Sequence, residues 1–250
     1  MSEGVTIEKR LRELAIRAAK GSRCGFSRFL EPPEQLTAEI VARQAGARLL
    51  LWGGYEGAER KIAAFIGEDE EISGQDFPIG NILLRWDVRY GDVGHRDLMG
   101  AVMALGLERD TLGDIVFCEE AGSAVLFASD TMADCVCANL DSAGHARLHC
   151  SCVPEWPPLK KPEGEYLRLV VSAFRMDCVL AAAYKLSRSQ AQKLIASGLV
   201  KRNHIPELHA DIRLDEGDLL SVRGKGRMRL EKFEGESKKG RLVVSVFRYA

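Results

Sequence analysis

Four prolines, Pro154, Pro157, Pro158 and Pro162, fall within nine residues, with Lys160, Lys161 and Glu163-Gly164-Glu165 among and after them. Proline fixes φ, removes a backbone donor and pushes the preceding residue toward extended geometry. Neither a helix nor a central strand fits such a segment, which stiffens toward polyproline II and reads as a linker. The parts on either side must therefore bury cores of their own. At 250 residues the chain is long enough for two or three such units. The acidic stretch from Gly67 to Asp76 marks a weaker boundary.

Charge divides at the same place. From Tyr166 to Ala250 there are 17 Lys+Arg against 9 Asp+Glu, a net of +8, whereas Met1 to Glu165 carries 18 against 27, a net of −9. A basic lobe on an acidic body points to one end that binds a polyanion. Charge alone does not name the anion, and a merely solvated basic face stays open. The seven cysteines lack a disulfide-framework spacing and suit free thiols in a reducing cytosol. Met1-Ser2-Glu3-Gly4 leads into Glu8-Lys9-Arg10 without a signal-like apolar stretch, and no apolar run approaches the roughly 20 residues of a membrane span. A cytoplasmic protein without a membrane partner is the expectation.

Periodicity orders the acidic part. Leu11, Leu14, Ala15 and Ala18 share one face of a helix expected from about Ile7 to Lys20. A second helix, Pro33 to Ala45, precedes a strand from Arg48 to Trp52. Then come a strand at Ile82–Trp86, a helix at Arg96–Leu105 and strands at Ile115–Phe117 and Ala124–Phe127. A helix at Asp130–Leu140 and a strand at Arg147–Val153 complete the series. That β-α-β-β-α-β order is the ferredoxin-like pattern of many RNA-binding domains. It lacks the aromatic central strand of a standard RNA-recognition motif. The expected class is α+β: an N-terminal α/β segment over 1–76, a ferredoxin-like domain over 77–153, the linker over 154–165 and a basic module over 166–250.

In the basic module Asp177 suits the N-cap of a short helix through Tyr184, with Val179, Leu180 and Ala183 inward. Ser187 and Gln190 form a capping box for a second helix, whose buried stripe is Ala191, Leu194 and Ile195. Gly198 follows where positive φ is cheap. The opposite face carries Arg188, Ser189, Gln192 and Lys193. Strands are expected at Leu199–Arg202, Ile212–Leu214 and Leu219–Arg223, the last after a Glu216-Gly217-Asp218 turn. Gly224-Lys225-Gly226-Arg227 then interleaves glycine with cations, so backbone and charge can both approach phosphates.

Arg175-Met176-Asp177, Leu186-Ser187-Arg188-Ser189-Gln190-Ala191, Leu194-Ile195, Gly198-Leu199-Val200 and Gly217-Asp218 resemble the RNA-binding domain named after small-subunit ribosomal protein four, here the S-four domain. Where that family has Val-Asn-Gly, this chain has Arg202-Asn203-His204, leaving His204 either a turn residue or a contact. Upstream, Phe29-Leu30-Glu31-Pro32, Gly53-Gly54-Tyr55-Glu56-Gly57-Ala58-Glu59-Arg60, His95-Arg96-Asp97-Leu98-Met99-Gly100, Gly106-Leu107-Glu108-Arg109-Asp110 and Gly113-Asp114-Ile115 are similar to the YlmH family. So are Ser221-Val222-Arg223-Gly224-Lys225-Gly226-Arg227 and Lys238-Lys239-Gly240-Arg241. The resemblance implies a non-enzymatic RNA-binding protein associated with the large ribosomal subunit in translation quality control. Its partners would be structured RNA, chiefly rRNA with tRNA as a second candidate, with no small-molecule substrate, cofactor or metal. The RNA-binding candidates are Arg175, Lys185, Ser187, Arg188, Ser189, Gln192, Lys193, Lys201, Arg202, Asn203, Arg223, Lys225 and Arg227. For Arg188 the competing reading is an ion pair with Asp177.

Other constellations carry less. His95-Arg96-Asp97-Leu98 mimics a kinase catalytic loop but has Val102 where Asn is needed, and reads as a helix start. Gly53-Gly54-Tyr55-Glu56-Gly57 lacks a P-loop Lys-Ser/Thr, and reads as a tight strand-to-helix turn with Glu59 and Arg60 capping or pairing. Cys135 and Cys137 on a helix turn their sulfurs roughly 200° apart, a poor chelate. With His149, Cys150 and Cys152 they read as small buried side chains. Two rival functions remain: an RNA-modifying enzyme that docks through the S-four domain, and a protein-interaction adaptor acting through its acidic part.

Overall fold

The computed structural model describes residues 2–21, 23–68, 70–91, 93–236 and 240–249, and separates into two units, Met1–Lys160 and Lys161–Ala250. Both are of mixed α/β architecture with antiparallel sheets. Lys238 and Lys239 lie outside the described residues. Among the described residues no helix is long and apolar enough to cross a membrane.

The first unit opens with α1 (Ser2–Ala19), β1 (Gly25–Leu30), α2 (Pro32–Ala45), β2 (Arg48–Trp52) and β3 (Lys61–Ile66). The strands form an antiparallel sheet in the order β1-β3-β2. Strand alternation explains why β3 must be central. Ala63 and Phe65 join Leu11, Ala15, Val41 and Ala42 in the core beneath α1 and α2, while Ile62, Ala64 and Ile66 join Phe29 and Phe77 on the other face. With both faces buried, β3 reads as an unbroken apolar run.

The unit continues with β4 (Ile79–Arg85), α3 (His95–Ala104), β5 (Leu112–Phe117), β6 (Ser123–Ser129) and α4 (Asp130–Asn139). A short ribbon of β7 (Ser142–Ala143) and β8 (Ala146–Arg147) leads into β9 (His149–Cys152). The four long strands pair antiparallel in the order β5-β6-β4-β9. Ile82, Leu84 and Leu126 pack under Leu98, Val102 and Val136 of the two helices. Asp97 accepts from the backbone N–H of Gly94 at 2.9 Å, so the His95-Arg96-Asp97 run caps α3.

The proline-rich segment is not a free spacer. Val153 N–H donates to Asn81, Glu119 N–H to the carbonyl of Pro158 and Lys160 N–H to that of Phe117. Trp156 packs edge-on against Phe127 at 5.3 Å. Residues through 160 thus cover the helix-free face of the four-stranded sheet, where Leu83, Val125 and Phe127 are buried beside Tyr55 and Leu159.

The second unit comprises β10 (Gly164–Val171), α5 (Met176–Ala183), α6 (Arg188–Ala196), β11 (Val200–Arg202), β12 (Ile205–Pro206), β13 (Leu219–Val222), β14 (Gly226–Glu236) and β15 (Leu242–Tyr249). One antiparallel sheet runs β10-β15-β14-β13-β11-β12. Strand β10 starts inside the expected linker, at Gly164 opposite Tyr249, so both ends of this unit are tied into one sheet. Leu180, Ala183, Ala191 and Ile195 of the helices bury Val200, Leu220, Met228, Leu230, Val244 and Val246. The strand expected at Ile212–Leu214 is absent. That backbone instead bonds to the entry of α5, through Met176 N–H to Ile212 and Leu214 N–H to Phe174, with a single bridge at Arg175 and Arg213.

Candidate RNA-binding surface

The second helix of the basic unit is capped as its sequence requires. Ser187 Oγ accepts from Gln190 N–H at 3.2 Å, and Ser187 N–H donates to Gln190 Oε1 at 2.8 Å. Gly198 then takes φ +68° past the end of α6. Asp177 does something other than the expected N-capping. Arg175 occupies the N-cap, and the Asp177 side chain is fully buried at 0 % exposure.

Three of the candidate residues converge on that carboxylate. Arg188 Nε donates to Oδ2 at 2.8 Å, Gln192 Nε2 to the same oxygen at 2.8 Å, and Arg175 to both oxygens at 3.2 Å. Burial alone would push the Asp177 carboxyl up; the bonds from Arg188, Gln192 and Arg175 outweigh it and hold it down at about 2. A carboxylate kept ionised this way neutralises only part of the arginine charge. Arg188 remains 53 % exposed in its side chain and, among the described residues, commits only Nε to the pair. Its two terminal nitrogens keep the donor fork that suits phosphate.

Lys185, Ser189 and Lys193 are exposed around this cluster, Lys185 with φ +52° between α5 and α6. Arg223 and Lys225 are exposed in the β13–β14 turn, where Gly224 takes φ +77°. Arg202 and Asn203 are engaged elsewhere. Asp218, 5 % exposed, accepts from Arg202 at 2.6 Å, Asn203 Nδ2 at 2.7 Å and Asp215 N–H at 2.8 Å. Asn203 and His204 take φ +48° and +70° as the two central residues of the β11–β12 hairpin. That is the pattern of a type I′ turn, made here with His204 where glycine is favoured. Lys201 and Arg227 lie on β-strands, with Ser221 between them in the register.

In the first unit, the Gly53–Arg60 loop is filled by its own protein. Asp114 accepts from Tyr55 Oη at 3.0 Å, Glu59 N–H at 2.7 Å and Arg60 N–H at 3.2 Å. Buried Arg60 pairs with Glu31 at 2.8 Å and donates to the carbonyls of Leu112 and Arg109. Burial and then Asp114 push the Tyr55 hydroxyl far above the usual phenol range. The loop runs from strand β2 to strand β3, not from a strand into a helix as expected, and Asp114 fastens it to β5.

The cysteines correct another expectation. Cys135, Cys152 and His149 are exposed, and Cys137 and Cys150 only half-buried. Helix α4 and strand β9 bring Cys137 Sγ to 3.0 Å from Cys152 Sγ, a juxtaposition invisible in their spacing. Burial and the neighbouring Cys152 sulfur push the Cys137 thiol up to about 12.

Residues 73–155 match the family model described as "Putative RNA-binding domain in YlmH". The chain is 38% identical over 222 residues to "Ribosome-associated protein quality control protein P2" of Bacillus subtilis (strain 168), covering 88% of this chain and 85% of that one. Its structure is similar to "Cell division protein ylmH from Streptococcus pneumoniae" with a TM-score of 0.51 and 17% identity. That match covers 62% of this chain and 93% of the other, and at such identity it speaks for the fold alone.

Proposed function

The chain belongs to the YlmH family, and from that premise we propose that it is a non-enzymatic RNA-binding protein of the cytoplasm. Its target on this reading is ribosomal RNA of the large subunit, with tRNA as a second candidate, in translation quality control. The four-stranded sheet is assigned to the ferredoxin-like class on its strand order, and residues 166–250 to the S-four class on the α5–α6 pair, with its capping box on α6, and the sheet beneath it.

The observation that carries the reading is the cluster on Asp177. One buried carboxylate holds Arg175, Arg188 and Gln192 in place beside the exposed cations Lys185 and Lys193. Pre-set guanidinium groups lose less freedom on binding a phosphate than mobile ones do. The name of the Bacillus subtilis relative supports a ribosomal setting. The family model supports a further RNA contact within residues 73–155. The non-enzymatic assignment is supported by Asp177 and Asp218, the two buried acids among the described residues of the basic unit, because structural donors engage both.

Crosslinking in cells, followed by sequencing of the bound RNA and mapping of the crosslinked peptides, tests this directly. The expected result is large-subunit rRNA joined to peptides spanning Arg175 to Lys193 or Arg223 to Arg227. Crosslinks confined to messenger RNA, or to peptides before residue 73, would overturn it.

A further inference from the structure

Residues of β10, β14 and β15 alternate between two environments, and the face turned away from α5 and α6 has its own composition. Leu167, Leu169 and Val171 point into the core, whereas Tyr166 is 73 % exposed on the other side of the same strand. Tyr166 lies opposite Phe247, and Phe247 opposite Arg229. The Phe247 ring braces two tyrosines edge-on, Tyr166 at 4.9 Å and Tyr249 at 5.0 Å between centroids. The Arg227 guanidinium carbon sits 5.3 Å from the centre of the Tyr249 ring. Register then carries the same face through Ser221 to exposed Lys201.

We propose that this face is a second RNA surface, which stacks unpaired nucleobases on Tyr166 and Tyr249 while Lys201, Arg227 and Arg229 meet the adjoining phosphates. The proposal rests on the RNA-binding reading and deepens it by naming single-stranded RNA as a ligand class. Aromatic rings on an open sheet bordered by cations are the chemistry that holds single strands, because every base offers a π-face and every linkage a charge. An arginine resting on a tyrosine ring is poised for the mixed cation–π and phosphate contact such strands use. Arg229 is paired with Glu231 at 2.8 Å, an exposed pair of the sort a phosphate can displace at little cost. The corresponding face of the four-stranded sheet is closed by Tyr55 and Trp156, whereas on this one Tyr166, Lys201, Arg227 and Arg229 are exposed and Tyr249 is half-exposed around buried Phe247.

The test compares the full-length protein with its Tyr166→Ala/Tyr249→Ala variant by fluorescence anisotropy. The probes are a short unstructured oligouridylate, the same ribose-phosphate chain made abasic, and a fully paired RNA duplex. Loss of stacking on two rings should weaken oligouridylate binding about tenfold or more. Affinity for the abasic chain and the duplex should stay within about twofold, since Lys201 and Arg229 are untouched and Arg227 loses only the ring beside it. The Tyr166→Phe/Tyr249→Phe variant, which keeps the rings, should bind like the unmodified protein. Equal oligouridylate affinity in all three proteins, or equal loss on the abasic chain, would overturn the proposal. Duplex binding without oligouridylate binding would overturn it and leave the proposed function standing. Failure of the unmodified protein to bind any of the three RNAs would sink both.

Discussion

At Asp177 a carboxylate without exposed surface takes bonds from Arg175, two residues before it, and from Arg188 and Gln192, which neighbour it only because α5 folds back onto α6. Its folded pKa lies below the ordinary value, so its contribution is fully present above about pH 4 and is lost as pH falls toward 2. Acid unfolding followed by circular dichroism should therefore show less pH dependence between about 4 and 2 in Asp177→Asn than in the unmodified protein. At neutral pH the same variant should lose on the order of 2 kcal/mol, from hydrogen bonds made to a charged group; an unchanged denaturation midpoint would contradict the buried anchor. Arg188→Ala should weaken RNA binding about tenfold while Asp177 keeps its other two donors. If affinity per folded molecule is preserved, Arg188 is structural only. His204 offers a separate check. Its positive φ predicts that His204→Gly keeps or raises the melting temperature and that β-branched His204→Val lowers it. The Ser187–Gln190 box was legible because capping is local. Asp177 looks like a cap in the sequence because Arg188 and Gln192, which claim its carboxylate, are 11 and 15 residues away.

Among the elements, the Gly53–Arg60 loop shows how a glycine motif can serve packing. Gly54 takes φ +99°, and a Cβ there would collide with the Phe127 ring. Gly54→Ala should cost about 2–4 kcal/mol, by overpacking plus left-handed strain, and lower the stability of the first unit. An unchanged denaturation midpoint for that unit would show that the loop is not held as described. Strand β2 was readable to the residue, and α2, α3 and α4 to within one, because their apolar stripes and end signals agree. Strands β1 and β3 are absent from the sequence expectations. Both faces of β3 are buried, which erases the period-two signal. Strand β14 does carry that signal, with Met228 and Leu230 inward and Arg227 and Arg229 outward, but the glycines and cations before it mask it.

For the whole molecule, the change of charge sign and the proline cluster lie near the division between Lys160 and Lys161, whereas the docking of residues 154–160 onto the first unit leaves no mark in the sequence. Prolines remove donors, yet the carbonyl of Pro158 still accepts from Glu119, and that pairing is tertiary. A fragment from Lys161 to Ala250 contains the complete six-stranded sheet and should fold alone. One starting after Gly164 and Glu165 loses the first rungs of β10 on β15 and the Glu165–Arg248 pair, and should melt lower. The central claim, that the basic unit meets RNA phosphates, is tested most directly by RNA affinity of the full chain measured across about 50 to 200 mM salt. With three or more phosphate contacts the slope of log affinity against log salt should be about −2 or steeper, and Lys193→Ala or Lys225→Ala should each reduce it by about one contact. A flat dependence, or a slope that neither substitution alters, would contradict the claim.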